Sequence, residues 1–266
     1  MNIKTITAFI AAMLYATPQT PVIDPLVWPA IDNNLFFDQR ESYDYTTLSK
    51  TEHMTVYETS CIGGYLPLGS LKIFVIPKNR MKFGVSTERP TDKDFFLNSN
   101  FFGEQDPIGL VVIDKKRRSS RIRGGGYFYV KSGTPHVQAY GSPSLTEYNS
   151  QTLLVGIDNG KANRNIMKAE SAKKKNYRSL VGEDSSGNIV IVVSSSRLGL
   201  VTIEDIVSIG LDFNIRDGIL FDGGPSVDYK MRDGFYKHSF KAMSGLTKKS
   251  LDIDEPMVYI YGDFRE

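Results

Sequence analysis

The chain has 266 residues, 41% hydrophobic and 23% charged, a composition typical of a globular protein with a sizeable core. Its formal net charge of +2 excludes an overall field that would demand nucleic acid or an anionic membrane as partner. Cys61 is the only cysteine, which excludes an intrachain disulfide and a C-x-x-C motif. The three histidines, at positions 53, 136 and 238, are scattered along the chain, which disfavours a zinc site of the usual His/Cys kind. The sequence does not indicate whether the protein uses a cofactor.

The first 16 residues, MNIKTITAFIAAMLYA, combine one lysine, a short apolar run and a small residue, as a weak signal peptide does. They also fit an ordinary N-terminal helix, and the run is too short for a transmembrane span. With a signal peptide we expect a secreted or periplasmic protein, and otherwise a virion-associated or cytoplasmic one.

Residues 17–52 are predicted to form a proline-rich extended arm. Four prolines lie between residues 17 and 36, and neither a helix nor a central strand can run through them. Such an arm is a candidate docking segment for a protein partner.

Residues 53–266 are predicted to form one domain of the α+β class, with a largely antiparallel β-sheet core and few helices. Short β-type runs such as LKIFVIP, GYFYVK and NIVIVVSSS alternate with turn residues at hairpin-length spacings. The convincing helix begins after Thr202, a predicted N-cap with Asp205 three residues on, and we expect Gly210 to end it in a left-handed conformation. A second, weaker helix could occupy part of residues 142–150 or of residues 162–174.

The stretch DGILFDGGPSVDY carries the best candidate for a reacting group. Asp222 follows a buried strand, and Gly223 and Gly224 would let a ligand approach the backbone, with the Ser226 hydroxyl close by. Asp-Gly-Gly also occurs in simple turns, so the stretch alone leaves both interpretations open.

Two further stretches offer polar groups at strand ends. Asn98 and Asn100, in FFLNSNFF, could orient a polar ligand or satisfy backbone groups in a bulge. Arg178 could clamp an anion with its planar fork or be an exposed strand arginine. Asn149 and Ser150 precede a buried-looking strand that ends in a hairpin turn, Asp158–Gly160.

Basic clusters at residues 115–123 and 173–178 could attract polyanions, but no nucleic-acid-binding signature accompanies them. Solvated loops are therefore the favoured interpretation, and nucleic acid is not an expected partner.

Read in order, these stretches resemble the phosphodiester glycosidase domain family, from about residue 53 to the C-terminus. The family's Asn-x-x-Phe-Phe segment with its following Pro-x-Gly-Leu-Val is matched by Asn98, Phe101, Phe102, Pro107, Gly109, Leu110 and Val111. The stretch GGYFYVKSG matches the aromatic strand of the family. The stretch NSQTLLV stands where the family has Gln-Ser-Gly-Pro-x-Leu-Val. The family's Arg-Thr/Ser-x-x-Gly is matched by Arg178, Ser179 and Gly182. The helix leading to Leu-Asp-Gly-Gly-Gly-Ser is present as LGLVTIEDIVSIGLDFNIRDGILFDGGPS, with Pro225 replacing the third glycine.

The resemblance implies hydrolysis of a sugar-1-phosphodiester in a phosphate-linked glycan or envelope polysaccharide. Arg178 would stabilise the phosphodiester anion, and Asp222 would act as acid/base or orient the sugar hydroxyls. Asn98 would support catalysis with a hydrogen bond, and Ser226, Gly223, Gly224, Asn149 and Ser150 would bind substrate. Asp184 and Asp228 are the candidates for a second carboxylate, and we expect Asn98, Arg178 and Asp222 to converge on one cleft.

A non-catalytic role is the alternative. The same fold could bind glycan or form a structural component of a virion or cell surface. Pro225, the altered segment at residues 149–152 and the N-terminal arm favour this alternative.

Overall fold

A computed structural model describes residues 43–60, 70–102, 106–195, 200–232, 237–239 and 257–265. They belong to a unit that spans Tyr43–Glu266. The predicted signal peptide or helix at residues 1–16, and the arm through residue 42, lie outside the described residues.

In the described ranges, eighteen strands form three sheets in which the strand pairs are antiparallel. In chain order they are β1 (Tyr45–Lys50), β2 (Thr55–Ser60), β3 (Ser70–Ile76), β4 (Met81–Ser86), β5 (Phe95–Asn98), β6 (Val111–Ile113), β7 (Lys116–Arg117), β8 (Gly126–Lys131), β9 (Thr134–Gln138), β10 (Tyr148–Thr152), β11 (Leu154–Asp158), β12 (Lys161–Ala162), β13 (Ser179–Asp184), β14 (Ile189–Ser194), β15 (Ile215–Leu220), β16 (Asp228–Met231), β17 (Lys237–Ser239) and β18 (Tyr259–Phe264). The predicted α+β class with a largely antiparallel core is confirmed.

The large sheet has the order β1-β2-β3-β14-β13-β15-β11-β12. The second sheet is β7-β6-β10-β8-β9, and the third is β17-β16-β5-β18-β4. Strand β1 lies within residues 17–52, the range assigned to the arm, and pairs with β2 along its length. The large sheet therefore begins before residue 53.

Two α-helices lie among the described residues, α1 (Arg164–Met167) and α2 (Ile203–Asp212). A 3-10 turn, Glu170–Lys173, follows α1, so the weaker candidate at residues 162–174 contains two short helical pieces. The other weaker candidate, residues 142–150, contains no helix and includes the start of β10. Shorter 3-10 turns occur at Lys78–Arg80 and Gly224–Ser226.

The N-terminus of α2 follows the prediction, whereas its C-terminus does not. Thr202 accepts a hydrogen bond from the Asp205 N–H, and the Asp205 carboxylate accepts one from the Thr202 N–H, which forms a capping box. The expectation that Gly210 ends the helix is wrong, because α2 continues to Asp212 and the left-handed residue is Asn214, at φ 56°.

Two apolar cores flank the large sheet. One face of α2 packs on it with Ile203, Ile206, Val207 and Ile209, alongside Leu180 and Leu220 from the sheet. Residues on the opposite face of the sheet, such as Val181 and Ile219, pack with apolar residues of the second and third sheets. Side chains therefore alternate between the two faces along β13 and β15, and the same alternation determines which side chains at the ends of these strands face α2.

Among the described residues, no helix is long and apolar enough to cross a membrane.

Candidate functional site

The candidate site lies where β15 ends, between β13 and β11. Leu220 pairs with Leu180, and the ladder extends to a hydrogen bond from the Phe221 N–H to the Ser179 carbonyl at 3.2 Å. Continuing this register by one residue brings Asp222 opposite Arg178. Residues opposite each other in antiparallel strands share a face, so the continued register predicts that these two side chains lie on the side of the sheet that carries α2.

Asn98 holds the loop that carries Asp222. Its Nδ2 donates to the Asp222 carbonyl at 3.1 Å, and its Oδ1 accepts from the Asp228 N–H at 3.0 Å. The Asp222 N–H in turn donates to the Ser99 carbonyl at 2.8 Å. Asn98 is only 1% exposed, so it orients the loop by bonding its backbone at both ends.

Arg178 is held by backbone carbonyls. Its Nη2 donates to the carbonyls of Ser171 and Lys174, at 3.2 and 3.1 Å. Its Nε is buried and has no hydrogen-bond partner among the described residues. Burial lowers the pKa of Arg178, and the negative charge of Asp222 opposes this shift. The guanidinium and the carboxylate are therefore electrostatically coupled at the end of the sheet.

The glycines after Asp222 permit a close approach of two backbone segments. A Cβ on Gly223 would lie 2.8 Å from the Tyr177 carbonyl oxygen, which is too close for any other residue. Gly224 has φ +69°, and its N–H donates to the same carbonyl at 2.9 Å. The half-buried Ser226 ends the 3-10 turn that follows.

Ser150 reaches the site through a buried network. Its Oγ donates to Ser99 Oγ at 2.9 Å and to Asn100 Oδ1 at 2.5 Å. Ser99 also accepts the Asp222 N–H through its carbonyl, so Ser150 supports the residues on which the Asp222 loop rests. The Asn100 Nδ2 donates to backbone carbonyls, including that of Gln151 at 2.5 Å.

Asn149 lies on the opposite face of β10 from Ser150, because neighbouring residues in a strand alternate. It is fully buried, and neither its Nδ2 nor its Oδ1 has a hydrogen-bond partner in the described part of the chain. The structure therefore does not bring Asn149 together with Asp222, although its neighbour supports the same loop.

Two supporting residues of β10, Gln151 and Thr152, were not predicted from the sequence. Thr152 Oγ1 donates to the Leu220 carbonyl at 2.6 Å, on the last residue of β15. Gln151 organises the segment before β8, since its Nε2 donates to the carbonyls of Ile122 and Gly124. A run of four polar residues in a strand whose neighbours are apolar was the available signal, because buried polar side chains need internal partners.

The two candidates for a second carboxylate have structural partners. The Asp184 carboxylate accepts from the N–H groups of Ser186 and Asn188 in the β13–β14 turn, at the far end of β13 from Arg178. Asp228 is fully buried and forms a two-point ion pair with Arg89, at 2.7 and 2.8 Å. Both carboxylates hold protein groups in place.

Within the described ranges, no group of three or more His, Cys, Asp or Glu side chains could hold a metal ion.

Comparisons with solved structures find proteins of similar fold. The chain is similar to the catalytic domain of zebrafish N-acetylglucosamine-1-phosphodiester alpha-N-acetylglucosaminidase, auto-inhibited by its pro-peptide, at 14% identity. That match covers 84% of this chain and 89% of the other, with a TM-score of 0.58. A hypothetical protein from Synechocystis matches with 14% identity and a TM-score of 0.59, over 85% of this chain and 64% of its own. A comparison with curated proteins finds no match.

These solved structures establish the likeness of fold. The family itself is shown by the sequence, because the model of the phosphodiester glycosidase family matches residues 92–242, more than half of the chain. The matched range contains the Asn98, Arg178 and Asp222 segments. The chain belongs to the phosphodiester glycosidase family.

Proposed function

We propose that the protein hydrolyses a sugar-1-phosphodiester within a phosphate-linked glycan, such as an envelope polysaccharide. The observation that carries the proposal is the convergence of Asn98, Arg178 and Asp222, distant in sequence, on the end of β15. Family membership supports the reaction class, and the zebrafish relative is named for an N-acetylglucosamine-1-phosphodiester.

Asp222 is the proposed acid/base or sugar-orienting group. It is half-buried, and its backbone is bonded on both sides, to Asn98 and to Ser99. A carboxylate fixed in this way is suited to act at an oxocarbenium-like transition state without reorganising. A phosphate is already a good leaving group, so strong general-acid assistance is not needed.

Arg178 is the proposed partner of the phosphodiester anion. The half-buried guanidinium favours negative charge nearby, and its Nε is a buried donor without a protein acceptor in the described residues. Since Nη2 is already engaged by two carbonyls, the group is held in a fixed position before substrate binds.

One structural observation adds to those from the sequence that favour the non-catalytic alternative. The side chain of Asn98 bonds backbone at both of its polar ends, which is also what a purely structural residue does. A protein of this kind would bind phosphate-linked glycan without releasing sugar.

Release of sugar from an α-GlcNAc-1-phosphodiester, or from a bacterial wall fraction, tests the proposal. We expect release by the wild type and at least a 100-fold slower release by Asp222→Ala. Equal inactivity of both proteins on a broad panel, together with retained glycan binding, would favour the non-catalytic role.

A further inference from the structure

A cleft on the second and third sheets is lined by none of the residues proposed to act on substrate, Asn98, Arg178 and Asp222. Its volume is about 300 Å³, the lower end of the range of roughly 300–1,000 Å³ for small-molecule sites. It is formed by the end of β4, the segment that connects β4 to β5, the β6–β7 turn, and one tyrosine each from β10 and β18.

The cleft has a fixed cationic side chain. Arg89 uses its Nε and Nη2 on the buried Asp228 carboxylate and lies over the Phe96 ring, 4.9 Å from its centroid. The described contacts do not engage its Nη1, and the side chain is 41% exposed. Arg89 is therefore preorganised to donate a hydrogen bond into the cleft at little entropic cost.

The cleft also has an aromatic wall. The rings of Tyr148 and Tyr261 meet edge to face, with centroids 6.4 Å apart. The Tyr148 hydroxyl donates to Asp114 Oδ1 at 2.7 Å, and Lys93 lies 5.6 Å from the centroid of the Tyr261 ring. These partners hold the tyrosines in place.

The balance of charge favours a neutral polyhydroxylated ligand over a phosphate. The cationic side chains of the cleft are already paired, Arg89 with Asp228, and Lys93 with Asp92 and Asp263. Further carboxylates, including that of Asp114, line the cleft and would repel an anion. Donors and acceptors beside aromatic rings suit the hydroxyls and the apolar face of a sugar.

The cleft lies at the same end of the third sheet as Asn98, the residue that holds the Asp222 loop. Ser86 of the cleft, Tyr259 and Asn98 are successive partners across β4, β18 and β5. Two strand spacings separate Ser86 from Asn98, which is about 10 Å. Hydrogen bonds also link the two places, from Arg89 to Asp228, and from Asp228 through Asn98 to the Asp222 loop.

We propose that this cleft binds a saccharide ring of the polymer, in the same chain as the sugar that lies at Asp222. The inference rests on the proposed function for the identity of the polymer. Binding in the cleft would make the protein selective for chains of several repeats over a single sugar phosphodiester, since only a chain can occupy both the cleft and the candidate site.

The test compares the binding of two probes by isothermal titration calorimetry. One probe is the methyl phosphodiester of α-GlcNAc-1-phosphate, and the other is a tetramer of α-GlcNAc-1-phosphate repeats. Every protein carries Asp222→Asn, so that neither probe is consumed. We expect the tetramer to bind at least tenfold more tightly than the single sugar.

Two variants remove the cleft in different ways. Tyr261→Ala deletes the aromatic wall, and Asp92→Trp fills the cleft from a side chain that is 76% exposed, outside the core. Each is expected to reduce the preference for the tetramer at least fivefold and to change single-sugar binding less than twofold. Tyr140→Ala, which removes a 45% exposed tyrosine that does not line the cleft, should leave the preference unchanged.

The proposal is overturned if the tetramer has no advantage, or if its advantage persists in Asp92→Trp. It is also overturned if inorganic phosphate displaces the tetramer and neutral GlcNAc oligomers do not, because the cleft would then be an anion site. Failure of the proposed function gives a different result. The wild-type protein would then release no sugar, while the cleft variants would still lose the preference for the tetramer.

Discussion

The side-chain amide of Asn98 donates a hydrogen bond to the backbone carbonyl of Asp222, 124 residues further along the chain. The same side chain accepts the Asp228 N–H, so one buried residue ties both ends of the loop that carries the proposed reacting group. Asn98→Ala should lower the free energy of unfolding by about 2–4 kcal/mol, because it leaves two backbone groups without their partner. Urea denaturation measures the change.

The control for this variant is Asn165→Ala. The Asn165 side chain is exposed, so its loss should change stability by no more than about 0.5 kcal/mol. An Asn98→Ala protein as stable as this control would show that the loop does not depend on Asn98.

Arg178→Lys should reduce sugar release by at least 100-fold. A lysine keeps the charge but lacks the rigid guanidinium whose Nη2 donates to the carbonyls of both Ser171 and Lys174, so the cation would no longer be fixed beside Asp222. Initial rates at saturating and limiting substrate separate an effect on kcat from one on KM. Arg216→Lys, on exposed sheet surface, is the matched control, and similar rates for the two variants would remove Arg178 from the site.

Gly210→Ala should destabilise the protein by about 1–3 kcal/mol, although alanine favours a helix. A Cβ at this position would lie 2.6 Å from Leu180 Cδ2 and 2.9 Å from Ile157 Cδ1, so these buried side chains or α2 itself would have to shift within the packed core. Thermal unfolding measures the change. Ser208→Ala, in the same helix, should be neutral or slightly stabilising, and a Gly210→Ala protein that matched it would contradict the close packing.

His136 should make stability depend on pH. Burial, and then the charge of Lys78, lower the pKa of His136 in the folded protein below its usual value of about 6.5. The unfolded chain therefore binds more protons just below pH 6.5, and folding is weakened as the pH falls from about 7 towards the folded pKa. The Tm of wild type minus that of His136→Gln should decrease over this window. A constant difference would contradict the shift.

The sequence predicted the local features and missed those that depend on register. Thr202 and Asp205 form the expected capping box because both partners lie within one turn. The predicted end of α2 was wrong because Gly210 allows close packing of the helix against Leu180, and this contact is visible only in the folded structure. Likewise, the placement of Asp222 opposite Arg178 depends on the register between β13 and β15. The different surroundings of Asn149 and Ser150 depend on which face of β10 lies against Ser99.

The most direct test of the account is the kcat/KM for sugar release from an α-GlcNAc-1-phosphodiester by wild type, Asp222→Asn and Asp44→Asn. Asp222→Asn preserves the shape of the side chain and the backbone bonds to Asn98 and Ser99, so folding should be unchanged. We predict at least a 100-fold loss for Asp222→Asn, and wild-type activity for Asp44→Asn, which alters an exposed carboxylate. Turnover by Asp222→Asn at the wild-type rate would contradict the assignment of Asp222 as the reacting group.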